Sequence, residues 1–245
     1  VYFSTILIQK LLFVYWSDFL NTGVKIIQDD PSGLVAFNKP DGLLSHPNSN
    51  KVEAKAAIRL PYDHQQQAYV LPDQKLIYLL NRLDSPTSGI ILCTTKRSLS
   101  EHVAACFLDH RVQKTYYAWV HGRLQRPQVW VDQLHIQKKG HQLRTSVRAG
   151  GIISKTKVVP LKTKGPYSLI ALTPITGRTH QLRVQSAQHG YPIIGDRTYG
   201  NFQANRLFEK QTHIKRLLLH ATAIKLPLPS GQIFHAQAPI PDEFE

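Results

Sequence analysis

The sequence predicts an α+β fold: a mixed, largely antiparallel central β-sheet with flanking helices. Three observations carry that expectation. Short apolar runs outnumber helical patterns, strands and helices do not alternate as βαβ units, and no Gly-rich phosphate loop follows any strand. The 245 residues, 42% of them hydrophobic, are enough for a real core. In chain order, strands are predicted at 24–28, 34–38, 76–80, 89–95 and 114–121, then through a basic region, at 167–173 and at 216–226. Helices are predicted at 51–60, 98–109 and 178–189. Thr176 can cap the start of the last helix, and Gly190 can take the left-handed position after its end. Residues 1–23 read as an apolar N-terminal extension and 24–245 as one domain.

Charge is unevenly spread. Thirty Lys and Arg against 16 Asp and Glu leave a formal charge of +14, which favours a polyanionic partner. No acidic residue occurs from Gln133 to Gly195. The same span holds Lys138, Lys139, Arg144, Arg148, Lys155, Lys157, Lys162, Lys164, Arg178 and Arg183. Many of these alternate with apolar positions, so strands with one basic solvent face are expected to contact phosphates.

Other classes lose support. Cys93 and Cys106 lack a second Cys at metal or redox spacing and read as buried free thiols in a reducing, cytoplasmic compartment. Residues 1–16 are apolar but interrupted by Gln9 and Lys10, too short to span a bilayer and without signal-peptide features; an apolar helix docked on the body, or a segment of a partner-binding extension, is expected. Twelve histidines form no H-x-x-x-H or H-E-x-x-H pair, so no metal is expected. No serine sits in a G-x-S-x-G elbow.

The stretch Asn81-Arg-Leu-Asp-Ser-Pro-Thr-Ser-Gly-Ile90 places Asp84 in a turn before a strand. Arg82 interrupts a segment, 76–83, that otherwise reads as a buried strand. The segment is neither the D-x-D-x-T of phosphoaspartyl enzymes nor the D-T-G of aspartic proteases. By elimination Asp84 is the best carboxylate for covalent or acid-base work, and a paired Arg would keep it ionised against burial.

Extended to Leu92, this stretch resembles the H-R-L-D-x-x-T-S-G-L-L-L motif of the RluA-type RNA pseudouridine synthases. Asn38-Lys-Pro-Asp-Gly-Leu-Leu-Ser-His-Pro47 resembles the family's first motif. Lys114-Thr-Tyr-Tyr-Ala-Trp-Val-His-Gly122 resembles its K-x-Y-x-A-x-V-x-G strand, and Thr176-Gly-Arg-Thr-His-Gln-Leu-Arg-Val184 its T-G-R-T-H-Q-I/L-R-V helix start. Ile194-Gly-Asp-Arg-Thr-Tyr-Gly200 and Leu218-Leu-His-Ala221 continue the similarity, which covers about residues 24 to 240 in the family's order.

The resemblance implies isomerisation of uridine to pseudouridine in tRNA or rRNA by a monomer without cofactor. It makes Asp84 the catalytic residue, Tyr116 the aromatic against the target base and Arg183 the ion-pair partner of Asp84. Leu182 would supply an apolar contact, while Lys39, Arg82, Arg178 and His180 would contact RNA or brace the site. Two positions depart from the family: Asn81 stands for His, and Gln185 for the His that commonly follows R-V. The competing reading is a catalytically silent RNA-binding protein on the same scaffold. A glycosidase would need a second carboxylate, and none is identifiable near the motifs.

Overall fold

The computed structural model describes residues 16–47, 54–139 and 142–245. The expectation for residues 1–15 lies outside them. The backbone forms one sheet with strand order β3-β4-β5-β6-β12-β7-β11-β10-β8-β9, to which β2 adds beside β6, β1 beside β2 and β13 beside β12. The strands are β1 (Lys25–Asp29), β2 (Leu34–Lys39), β3 (Tyr62–Asp63), β4 (Ala68–Val70), β5 (Leu76–Leu79), β6 (Ser88–Thr94) and β7 (Gln113–His121). They continue as β8 (Gln128–Lys139), β9 (Gln142–Val147), β10 (Ile152–Lys164), β11 (Tyr167–Pro174), β12 (Leu219–Pro227) and β13 (Ile233–Gln237). Among the described residues, three complete α-helices join them, α1 (Arg97–Leu108), α2 (Gln181–Gln188) and α3 (Phe202–Thr212), and residues 16–19 are also helical.

The sheet is mixed and mostly antiparallel, as predicted. Its parallel contact is the short meeting of β6 and β12, His220 with Ser88 and Ala221 with Gly89. Here the two halves of the sheet join, immediately after the Asp84 turn. Gly89 has φ +111°, and a Cβ there would collide with the Ala221 backbone, so both conformation and close approach require glycine.

Strand β6 is buried along its whole length, which explains its unbroken apolar run. Ile91 and Cys93 face a cluster with Phe37, Tyr69 and Ile77, whereas Ile90 and Leu92 face a second with Leu34 and Phe234. Helix α1 closes the second face through Leu99, Val103 and Cys106, one stripe at helical spacing. A third cluster, including Ala118, Trp130, Val158, Ile170, Leu182 and Leu219, joins α2 to strands β7, β8, β10, β11 and β12.

The first face corrects a sequence expectation. No α-helix forms over described residues 54–60 of the predicted helix 51–60. Leu44 donates to Lys55 O, Ala57 to Leu44 O and Arg59 to Phe19 O, so the backbone pairs with distant segments rather than within itself. Ala56, Ala57 and Ile58 are fully buried there, and burial on several sides removes the one-sided pattern that a surface helix needs. Helix α3 was not foreseen; none of its residues is buried.

The helix predicted at 178–189 starts later, at Gln181. Thr176 is not its cap, because its hydroxyl bonds the Gln181 side chain and accepts from Lys155 N. Gln181 Oε1 itself accepts the Arg178 N–H at 3.0 Å, so the turn before the helix closes on a residue inside it. Gly190 does take φ +81°, just past His189 at the helix end.

Candidate active site

The Asp84 turn follows β5 and is tied on every side. The Asp84 carbonyl accepts Thr87 N–H at 3.0 Å, and the Ser85 carbonyl accepts Gly42 N–H at 2.8 Å. The Ser45 hydroxyl donates to Leu83 O and accepts from Leu83 N. Lys39, expected to contact RNA or brace the site, bonds the backbone beside Asp84. Its side chain is fully buried, and Nζ donates to Pro40 O, Leu43 O and Ser85 O at 2.8, 2.9 and 3.2 Å, one acceptor for each ammonium N–H. Burial pushes its pKa down to about 7, partly offset by Asp41. A group so enclosed has no donor to spare for a phosphate.

Across the cleft, the first turn of α2 delivers Arg183. Its Nη1 donates to Asp84 Oδ2 at 3.0 Å, while Nε and Nη2 grip Asp196 at 2.8 and 2.9 Å. Burial opposes the Arg183 charge, but the two carboxylates more than compensate and raise its pKa. Asp196 was not singled out as a site residue, although it ends the acid-free span. It also accepts the N–H groups of Thr198 and Tyr199 at 2.8 and 3.0 Å. Burial pushes its carboxyl up, yet the Arg183 hydrogen bonds, the Arg183 charge and these N–H groups outweigh it and hold the pKa below the usual value.

Tyr116 lies on β7 opposite Ala221 of β12, which itself pairs with Gly89, so it stands two strands from the Asp84 turn. Burial, then the Asp84 charge, pushes its phenol pKa up, so the hydroxyl stays protonated at neutral pH. Leu182 is buried beside it. His180 precedes α2 in a left-handed conformation, φ +56°, with Nε2 3.9 Å from Asp84 Oδ2. Arg82 and Arg178 are exposed, and Arg82 Nη1 lies 3.3 Å from His46 Nε2. A cavity of about 640 Å³ opens beside the ion pair, lined among others by Ser85, Pro86, Arg183, Arg197 and Arg216. Among the described residues, no group of three or more His, Cys, Asp or Glu side chains is placed to hold a metal ion.

A family model described as RNA pseudouridylate synthase matches residues 33–188, well over half of the chain. The chain belongs to that family. Among its relatives is the tRNA pseudouridine synthase C of Vibrio cholerae serotype O1, 32% identical over 213 residues that cover 81% of this chain and 84% of the relative. The ribosomal large subunit pseudouridine synthase C of Vibrio vulnificus is 31% identical over 225 residues, 90% of this chain but only 66% of the relative. In fold, the chain resembles human RNA pseudouridylate synthase domain containing 4, with a TM-score of 0.67 at 21% identity over 100% of this chain and 95% of the other.

Within this RNA pseudouridylate synthase frame the two departures have structural roles. Asn81 extends the β5 and β6 pairing with its side chain: Oδ1 accepts Leu92 N–H at 2.7 Å and Nδ2 donates to Ile90 O at 3.1 Å. Gln185 is fully buried and pins α2 to the sheet. It donates to Asp132 Oδ2 at 2.7 Å and accepts the Thr156 hydroxyl at 2.6 Å.

The expected basic strand face exists, but it points away from α2. The side chains of Thr156 and Asp132 bond α2 or the His189 just past it and Ser154 is buried with them, so by strand alternation Lys155, Lys157 and Arg144 lie on the opposite, exposed face.

Proposed function

We propose that the chain is an RNA pseudouridine synthase that acts on a uridine of a tRNA or rRNA, with Asp84 as its catalytic carboxylate. The observation that carries this reading is the half-open Asp84 carboxylate, 26% exposed, held 3.0 Å from the buried Arg183 guanidinium. A carboxylate paired with a guanidinium at a cleft can attack the sugar or base, or assist deprotonation, without metal or cofactor. In the reaction the C1′–N1 bond breaks, the uracil turns, C5 bonds to C1′, and the C5 proton is exchanged for one on N1. Substrate and product are isomers.

The target uridine must leave its stack to reach Asp84, at a cost of a few kcal/mol. Basic contacts to flanking phosphates compensate, with Arg82 and Arg178 assigned to them because both are exposed beside the site. Tyr116 and Leu182 form the apolar wall that retains the detached base. The names of the relatives support tRNA and rRNA as substrates. The reading includes a monomer in the cytoplasm, with the buried free thiols of Cys93 and Cys106 at home in a reducing compartment. Among the described residues, no helix is long and apolar enough to cross a membrane.

The experiment is site mapping of pseudouridine in total RNA from cells with and without this protein. Loss of one or a few defined sites supports the reading and names the target. An unchanged map overturns it.

A further inference from the structure

The stretch after Asp196 contains Tyr199, which the reaction as described leaves without a role. Its hydroxyl meets two partners. Strand β9 lies at the edge of the sheet, and its Thr145 N–H, turned away from β8, donates to the Tyr199 hydroxyl at 3.0 Å. The same hydroxyl lies 2.8 Å from His180 Nδ1. Thr145 also donates its own hydroxyl to Thr179 O at 2.9 Å, which fixes the backbone next to His180. The Tyr199 ring lies under Arg183, with 5.2 Å from guanidinium carbon to ring centroid, and Tyr199 N–H is bound by Asp196.

A hydroxyl has one proton to give. Tyr199 already accepts from Thr145, and among the described residues His180 Nδ1 is the acceptor within reach of its own proton. If Nδ1 carried a proton instead, a neutral ring would turn the Nε2 lone pair toward the Asp84 carboxylate 3.9 Å away, an unfavourable meeting of two acceptors. Both geometries therefore select the tautomer with its proton on Nε2. Burial, first, and then the Arg183 charge favour the neutral ring, against the opposing pull of Asp84 and Asp196. The side chains of His180 and Asp84 are 18% and 26% exposed, so one bound nucleotide can touch both. Arg183 is already committed to two carboxylates. Among the described residues Nε2 makes no hydrogen bond within the protein.

We propose that His180 is a further catalytic residue, whose Nε2–H donates a hydrogen bond to a carbonyl oxygen of the uracil. Tyr199 is its positioning residue, locking the tautomer. The proposal rests on the pseudouridine synthase reading. When the C1′–N1 bond breaks, its electron pair leaves with the base and spreads onto the carbonyl oxygens, where a fixed neutral N–H is worth more than it is to the intact uridine. No proton is transferred in this step.

Two measurements on the full chain test it. Imidazole ¹⁵N shifts, with His180 assigned by its loss in His180→Asn, are expected to show a neutral Nε2–H ring at pH 7. Tyr199→Phe, which keeps the ring under Arg183, is expected to mix the tautomers and raise the His180 pKa. A protonated Nδ1 in the unmodified protein overturns the tautomer assignment. In kinetics, His180→Ala is expected to lower kcat about 100-fold with KM unchanged, as loss of a transition-state donor does. His180→Gln, which retains an N–H, restores part of the rate, and Tyr199→Phe loses roughly tenfold. A change in KM alone makes His180 an RNA contact and overturns the catalytic role. If the unmodified protein makes no pseudouridine in any RNA, the functional reading and the donor role fall together, whereas the ¹⁵N result still decides the tautomer.

Discussion

Asp84 and Asp196 share the Arg183 guanidinium, yet their loops treat the two carboxylates differently. The Asp196 side chain is 1% exposed and accepts four hydrogen bonds, from Arg183 Nε and Nη2 and from the N–H groups of Thr198 and Tyr199. Asp84 is 26% exposed and its carboxylate accepts one hydrogen bond, from Arg183 Nη1, with His180 Nε2 3.9 Å away. Saturating a carboxylate on a buried cation lets it hold the cation in place. Leaving one with open lone pairs at a cleft suits it to the catalytic role proposed for Asp84. The Arg183 guanidinium is thus anchored from behind so that its remaining corner can present Asp84.

The sharpest way to break this comparison is to neutralise each carboxylate in turn. Asp196→Asn leaves the Arg183 charge buried without its main partner and is expected to cost about 3–5 kcal/mol in urea unfolding. Asp84→Asn removes a partly exposed partner and is expected to cost about 1 kcal/mol or less. Equal losses would mean that the two loops are not specialised.

The pH dependence sharpens the same contrast. The pKa of Asp196 is held below its unfolded value near 4, so its contribution is full above that value and is lost as pH falls through the folded one. The melting temperature is therefore expected to drop on acidification below roughly pH 4, with a shallower drop in Asp196→Asn.

Asn81 offers a smaller test, because its side chain serves the strand behind Asp84 rather than the chemistry. Asn81→Ala strands Leu92 N–H and Ile90 O, and about 1–2 kcal/mol of stability should go with them. Activity at a permissive temperature should survive. The smallest effect is expected on the exposed strand face. Lys155→Ala with Lys157→Ala should change stability by no more than about 0.5 kcal/mol and leave the salt dependence of RNA binding nearly intact. Arg178→Ala should weaken binding and reduce the salt slope by about one.

How much of this the sequence disclosed follows from how local each signal is. The Asp84 turn, the buried run of β6 and the stripe of α1 were legible, because apolar periodicity and turn chemistry are short-range. The ion pair of Asp84 with Arg183, 99 positions apart, was available only through resemblance. Residues 54–60 misled, since Ala56, Ala57 and Ile58 are buried by distant segments, and α3 escaped because none of its residues is fully buried. Asp196 could have been found: it ends a long acid-free span inside a quoted motif. Its partners are set by the fold, as are the opposite faces of Thr156 and Lys157 that turned the expected basic strand face away from the cleft.

The central claim is that Asp84 reacts while Asp196 holds. It is tested most directly by pseudouridine formation and RNA affinity measured together on Asp84→Asn. The account predicts no detectable product with affinity close to that of the unmodified protein, and a variant that still forms pseudouridine at the normal rate would contradict it.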